Sequence, residues 1–369
     1  MKFKFAIPTK VFFEKECVKN NSGILTAIGK KAVIVTGKHS AKACGALDDV
    51  TEVLDAAGIE YIIFNKIENN PSVETIEKAG KIAVENEVDF VIGIGGGSPL
   101  DASKAIAVLA DNKDMGVLDL FKNDFTHALP IVCIPTTAGT GSEETPYSVL
   151  LRKDLQTKVS FGNEKTYPSY AFVDAKYTYS LGENSTISTA VDAFTHAFEG
   201  YLANRSSVIS DCFALEAIRA FGKSMRNLAE FKLTEEDREN LMLVSLLGGI
   251  IISQTGVTIA HGMGYCYTYF KGIPHGKANG LIMDEYMKLN YKASEKTKKK
   301  IDTAIKELGC ASMEEFAGIL KKMTGEAPHL TEDEINQYTK LTLIQKGSMA
   351  NNPYPIDENQ IKELWTKLA

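Results

Sequence analysis

Four short runs dense in Val, Ile and Phe, each closing on turn residues, constrain this chain more than any other feature: KAVIVTG (31–37), EYIIFN (60–65), DFVIGIGGG (89–97) and PIVCIPTT (130–137). Such runs read as strands. Between them, SVETIEKAGKIAVENE (72–87) and PLDASKAIAVLA (99–110) carry apolar residues at helical spacing. The alternation predicts a parallel sheet with helices packed over it, and such sheets bind ligands beyond the carboxyl ends of their strands. After about residue 182 the pattern changes. STISTAVDAFTHAFEGYLAN, SDCFALEAIRAFGKSMRNLAEF, LTEEDRENLMLVSLLGGIIIS and TEDEINQYTKLTLIQKG all show helical spacing, with few candidate strands. At 369 residues the chain exceeds the usual reach of one core. An α/β domain over 1–182 and an all-α domain over 183–369 are therefore expected, with the cleft between them as the natural place for a site.

Composition narrows the function classes. With 44% hydrophobic and 24% charged residues the chain reads as a soluble globular protein. Its 41 Lys and Arg, against 47 Asp and Glu, are scattered rather than gathered into a stripe, which argues against a nucleic-acid partner. The start, MKFKFAIPTKVFFEKE, has no uninterrupted apolar region and no small-residue cleavage site, so a cytoplasmic location is expected. One stretch, VSLLGGIIISQTGVTIAHGMG (244–264), carries no formal charge. Its Ser253, Gln254, Thr255, Thr258 and His261 suit a helix inside a soluble domain better than contact with lipid, so no membrane partner is expected. Six dispersed cysteines without a C-x-x-C pair read as free thiols in a reducing compartment.

Two loops suggest a dinucleotide. VIGIGGGSPLDASKA runs from a strand through Gly95, Gly96, Gly97 and Ser98 into a helix, a place where backbone comes close to phosphate and free N–H groups favour negative charge. A tight turn with no ligand would look the same, and the G-x-G-x-x-G spacing is absent. PTTAGTGSE (135–143) follows another strand and offers the Thr136, Thr137, Thr140 and Ser142 hydroxyls. Neither loop has G-K-[ST] at P-loop spacing, and no G-x-S-x-G occurs, which argues against a triphosphatase and an α/β-hydrolase.

The histidines suggest a metal. Asp192 and His196 in VDAFTHAFEG share one helix face if that stretch is helical. His261 in IAHGMGY, expected to end the long apolar helix, and His275 at the loop-to-helix junction of GIPHGKANG complete an N/O set suited to divalent iron or zinc. By spacing alone the same four residues are equally compatible with structural histidines. His39, His127 and His329 lie in turn-like sequence and read as solvated loop residues.

In order along the chain, GGGSPLDASKA, PTTAGTGSE, DAFTHAFEGY, AHGMGY and PHGKANG resemble the iron-containing (group III) alcohol dehydrogenase family over nearly the whole length. The resemblance implies a Rossmann-like N-terminal domain, a helical C-terminal domain, the architecture shared with dehydroquinate synthase, a catalytic divalent metal between the domains, and a homodimer. It puts metal ligands at Asp192, His196, His261 and His275, with iron expected and zinc the alternative. It puts cofactor contacts at Gly95, Gly96, Gly97, Ser98, Thr136, Thr137, Thr140 and Ser142. Asp101, Lys158 in TKVSF and Leu181 match further cofactor-side positions, although Asp101 is also an ordinary first-turn carboxylate. Many members carry an Asp after the first strand, where it repels a 2′-phosphate. Here Gly37 is followed by Lys38, His39 and Ser40, so NADP(H) is expected to be favoured over NAD(H). Some members place a second histidine four residues after the first AHG histidine. Tyr265 stands there instead, and a phenol near pKa ~10 is a poor proton acceptor at neutral pH.

The expected activity is hydride transfer between the cofactor and a small primary alcohol or aldehyde, butanol-like in size. A polyol (glycerol or propanediol) dehydrogenase is the nearest alternative. A dehydroquinate synthase-like lyase would require several basic residues, which the largely apolar surroundings of the motifs lack. A non-enzymatic nucleotide-binding module would have no need of the metal set.

Overall fold

The computed structural model of the chain describes residues 3–155 and 157–369. These form two compact units. One comprises Ile7–Thr137 and Gly141–Leu181; the other comprises Gly182–Ala369 with the segment ending at Ala6 and the short stretch Ala138–Thr140.

The first unit is built on a parallel sheet of β1 (Lys10–Phe13), β2 (Lys31–Gly37), β3 (Glu60–Ile67), β4 (Phe90–Gly95), β5 (Ile131–Pro135) and β8 (Tyr170–Val173). The spatial order is β1-β8-β5-β4-β2-β3. A separate antiparallel hairpin joins β6 (Ser148–Arg152) to β7 (Thr157–Phe161). The two-residue repeat of a strand sends Ala32 and Ile34 to one face of the sheet, where they meet Ile92, Ile94, Val132 and Ile134. Val33 and Val35 go to the other face, with Val91 and Cys133. Burial of both faces is why the runs are continuously apolar rather than alternating.

The first face is covered by α1 (Cys17–Asn20), α2 (Ser22–Leu25), α3 (Ser40–Ala43) and α4 (Ala46–Ala57). The second is covered by α5 (Val73–Glu85) and α6 (Gly97–Asp111). β2 pairs with β3 on one side and β4 on the other, and the order then runs on through β5. The carboxyl ends of β2 and β4, where Gly37 and Gly95 lie, therefore flank the point at which the strand order reverses. β1 and β8 are four residues each, too short for a periodic signal; their strand conformation comes from pairing, β1 with β8 and β8 also with β5.

The second unit is helical among its described residues. It begins with α7 (Glu183–Leu202), α8 (Val208–Ala229), α9 (Glu235–Thr255), α10 (Ile259–Lys271) and α11 (His275–Asn290). It continues through α12 (Glu295–Glu307), α13 (Met313–Thr324), α14 (Glu332–Leu343), α15 (Lys346–Asn351) and α16 (Glu358–Lys367). Ser207, Thr234 and Thr331 close capping boxes at the starts of α8, α9 and α14, each stabilising its helix by about 1 kcal/mol.

One sequence expectation is corrected. The apolar stretch 244–264 is not one helix: α9 stops at Thr255, α10 starts at Ile259, and the two are bent by 114°. Gly256, at φ 67°, takes a backbone conformation that a side chain disfavours, and Thr258 is extended. Asn351 Nδ2 donates to the Thr255 and Val257 carbonyls at 2.9 and 3.0 Å, supplying bonds that the interrupted helix cannot. His261 thus lies in the first turn of α10 rather than at the end of a long helix. No single helix among the described residues is long and apolar enough to cross a membrane.

Candidate active site

α7 is buried almost all round from Thr186 to Leu202, so its polar residues need partners inside the unit. Asp192 and His196 occupy successive turns. α11 and α9 approach them closely because small residues permit it. A Cβ on Gly276 would stand 1.8 Å from the Ser188 carbonyl oxygen and 2.8 Å from Asp192 Cβ, so the start of α11 seats against α7 only with glycine next to His275. A Cβ on Gly248 of α9 would lie 3.1 Å from the Ala193 oxygen and 3.3 Å from His196 Cβ.

Three imidazoles converge on one oxygen. The Nε2 atoms of His261, His275 and His196 lie 3.5, 3.8 and 3.9 Å from Asp192 Oδ1. Asp192, His261 and His275 each offer a ligand atom within 4.8 Å of the others, and the His196 ring stacks on His261 at 4.8 Å between centroids. An ion about 2.1 Å from each of four tetrahedral ligands would set them roughly 3.4 Å apart, close to these separations. His261 Nε2, buried and aimed at Asp192, has no hydrogen-bond partner, and neither does His196 Nδ1. The donor chemistry and the orphaned nitrogen fit a divalent iron or zinc ion.

The surroundings hold the set in place. His261 Nδ1 is hydrogen-bonded to Glu199 Oε1, and Glu199 Oε2 accepts from the Thr258 N–H (2.8 Å) and hydroxyl (2.5 Å). Asn279 Nδ2 donates to Asp192 Oδ1 at 3.1 Å. Burial opposes ionisation of Asp192, yet His196, His275 and His261 together hold its carboxyl well below the usual range. Burial pushes the His196 imidazolium down, against the pull of Asp192. For His261, burial is outweighed by Glu199 and Asp192, and its pKa is pushed up to about 10. Tyr265 stacks on His275 with 5.3 Å between centroids.

In the first unit, Gly95 has φ 155°, and a Cβ there would stand 2.6 Å from Pro99 Cγ. Gly96 is the N-cap of α6, with Gly97 and Ser98 in its first turn, and no side chain caps that terminus. Thr136 N donates to the Gly95 carbonyl at 2.9 Å, and Gly96 lies against Thr137, so the two loops adjoin. The Thr136 hydroxyl is buried without a partner. A glycine-lined helix start beside an unsatisfied hydroxyl suits a pyrophosphate. Gly37 ends β2, and Ser40 begins α3, with Lys38 and His39 exposed between them.

Other expected positions are scattered or already engaged. Asp101 Oδ1 accepts from Ser142 Oγ (2.6 Å) and Oδ2 from Val149 N (2.9 Å). Ser142 Oγ in turn accepts from Lys104 Nζ (2.7 Å). Thr140 belongs to the helical unit, Lys158 stands on β7 opposite Leu151, and Leu181 N donates to the Thr178 carbonyl. The remaining histidines are exposed, and His127 pairs with Asp111 at 2.9 Å.

Sequence reasoning missed Glu199, Asn279 and Lys104. The first two had a signal: 192, 196 and 199 fall on one helical stripe, and 275 and 279 on another.

A doubly wound sheet with a glycine-rich helix start, together with a helical unit carrying a buried carboxylate and three imidazoles, is the architecture of a nicotinamide-dependent oxidoreductase with a candidate metal site. The comparisons narrow this: residues 8–175 match the family described as iron-containing alcohol dehydrogenase, residues 186–369 match the C-terminal domain of the same family, and the chain belongs to it. It is an oxidoreductase of the alcohol dehydrogenase type. The NADPH-dependent butanol dehydrogenase of Clostridium saccharobutylicum is 30% identical over 296 residues, covering 79% of this chain and 75% of the relative. The crystal structure of an iron-containing alcohol dehydrogenase from Thermotoga maritima is 37% identical, with TM-score 0.90 over 100% of this chain and 99% of that one. A sulfoacetaldehyde reductase from Bifidobacterium kashiwanohense, solved in complex with NAD+, is 28% identical, with TM-score 0.90 and the same coverage.

Proposed function

We propose that the protein interconverts small primary alcohols and aldehydes with NADP(H), using a divalent ion held by Asp192, His196, His261 and His275. The observation that carries this reading is the approach of three imidazole Nε2 atoms to one buried carboxylate oxygen. When bound, the ion supplies Lewis acidity toward a carbonyl or hydroxyl oxygen, and the dinucleotide supplies or accepts hydride.

The chain's own residues supply position and environment. Asp192 brings negative charge to the site, and the surrounding apolar helix faces keep water out. Gly95, Gly96, Gly97 and Ser98, with Thr136 and Thr137, bind pyrophosphate; Thr140, Ser142, Asp101, Lys158 and Leu181 complete the cofactor contacts. Exposed Lys38, His39 and Ser40 beyond Gly37 offer donors and no carboxylate where a 2′-phosphate would sit, which favours NADPH. The name of the Clostridium relative carries the same cofactor. Tyr265, stacked on His275, shapes the pocket rather than relaying protons; desolvation of its hydroxyl end, with Asp192 and Glu199 nearby, raises its pKa further. The working form is a homodimer, which light scattering on the purified protein checks.

NADPH oxidation with butanal, dihydroxyacetone and a keto-acid phosphate, after loading with iron or zinc, tests the reading. The expected order places butanal first, with kcat/KM higher for NADPH than for NADH. Turnover of the keto-acid phosphate alone, or full activity in metal-free enzyme, would overturn it.

A further inference from the structure

Glu199 is completely buried, and its carboxylate meets His261 on one side and Thr258 on the other. We infer that Glu199 is the positioning residue of the metal centre: it holds the His261 Nδ1 proton and so presents the bare Nε2 to the ion. This rests on the ligand set proposed above.

The argument starts from imidazole chemistry. A neutral imidazole carries one N–H, and only the other nitrogen has a lone pair for a metal. Glu199 Oε1 contacts Nδ1, while Nε2 lies 3.5 Å from Asp192 Oδ1 with no other partner. A carboxylate at Nδ1 accepts only, so when an ion takes the place of the Nε2 proton it keeps the remaining ring proton on Nδ1 and Nε2 faces the ion. Thr258 fixes the carboxylate in turn: its N–H and its hydroxyl both reach Oε2, and the hydroxyl also contacts Tyr286 Oη at 2.9 Å.

Charge points the same way. A divalent ion on one carboxylate and three neutral imidazoles leaves a net positive charge, in a place where Asp192, His196 and His261 are each at most 6% exposed. A second carboxylate, one bond removed from the ion, brings the buried total to zero. The D-x-x-x-H-x-x-E spacing sets all three side chains on one stripe of α7.

Glu199→Gln separates this role from simple core packing. If the amide oxygen keeps the two Thr258 donors, the NH2 group faces His261 Nδ1 and drives the ring proton to Nε2. If the amide is turned around, NH2 meets the Thr258 N–H instead. Co2+ affinity, measured by chelator competition, should fall about 10- to 100-fold. The imidazole 15N shifts of the Zn2+-loaded protein should report a metal-bound Nε2 and an Nδ1–H in the wild type, and loss of that pattern in the variant. Glu199→Asp keeps the charge but shortens the reach by one methylene, and it should also weaken Co2+ by about tenfold or more; it decides the matter if Glu199→Gln does not fold. Wild-type Co2+ affinity in whichever variant folds, with only a lower Tm, would mean a structural role and overturn the inference. Asp192→Ala is the control: if it loses Co2+, a null result at Glu199 tells against Glu199 alone. If it binds like wild type, the ligand set falls and this inference with it.

Discussion

Each unit buries a charged cluster, and the two resolve burial in opposite ways. Around Asp192 the unpartnered atoms are His261 Nε2, His196 Nδ1 and the amide oxygen Asn279 Oδ1, in a set whose ring nitrogens suit a metal ion. Around Lys104 the unpartnered atoms are carboxylate oxygens, Glu143 Oε1 and both oxygens of Glu144. Lys104, itself fully buried, spends its protons elsewhere: on the Ser142 oxygens (2.7 and 2.8 Å), the Tyr147 carbonyl (2.7 Å) and the Thr145 hydroxyl (3.3 Å). The first cluster sets imidazole donors around a carboxylate, the chemistry of a cation site, whereas the second sheds negative charge by keeping protons. Burial pushes Glu143 up to about 7 and Glu144, next to Glu143, up to about 9. Burial alone therefore does not mark a binding site; the chemistry of the donor atoms does.

The contrast is broken most forcefully at His261. His261→Ala should lower kcat/KM on the order of a thousand-fold, equivalent to about 4 kcal/mol, and abolish metal content by elemental analysis, while the fold is retained. Metal retained at wild-type stoichiometry would remove the distinction between the clusters. Lys104→Met attacks the other side. It leaves the Asp101 carboxylate without its cation and strands the buried Ser142 and Tyr147 acceptors, and thermal unfolding at pH 7 should show a loss of about 3–5 kcal/mol with metal per folded chain unchanged. A neutral result there would mean that the lysine is not what makes buried Asp101 tolerable.

Glu144→Gln sharpens the comparison through pH. The folded state keeps a proton on Glu144 that the unfolded chain releases above its ordinary value of 4.5, so the wild type loses stability as pH rises from there toward about 9. The glutamine variant lacks that term. The two Tm curves should coincide near pH 4 and diverge upward in favour of the variant; parallel curves would show that Glu144 is ionised in the fold. The smallest effect belongs to Tyr265→Phe. It keeps the ring stacked on His275, so kcat should change less than about threefold with the pH profile unmoved, and a shifted profile would give the hydroxyl a proton-transfer role.

What the sequence made legible followed its periodicities. β2, β4 and β5 announced themselves because both faces are buried, edge strand β3 through its apolar run alone, and α5, α6 and α7 through their spacing. Asp192, His196, His261 and His275 stood out by residue type, although only the fold brings their ring nitrogens to one oxygen. The break between α9 and α10 was hidden because VSLLGGIIISQTGVTIAHGMG is uncharged throughout, and its decisive features are one left-handed glycine and the distant Asn351. Lys104 and Glu144 were invisible for a related reason. Charged residues read as solvated until three-dimensional packing shows otherwise, and theirs is set by a helix and a loop about 40 positions apart.

The metal cluster also has a history along the chain. Asp192 and His196 are one turn apart, but Glu199 and His261 are separated by 62 positions, and His275 arrives later still. A growing polypeptide that has completed every strand and the whole of α7 holds half the proposed ligands and no site. On that ligand set, ion capture requires α10 and α11 to have emerged and docked, so acquisition of metal by a stalled or truncated chain would time the docking of these two helices.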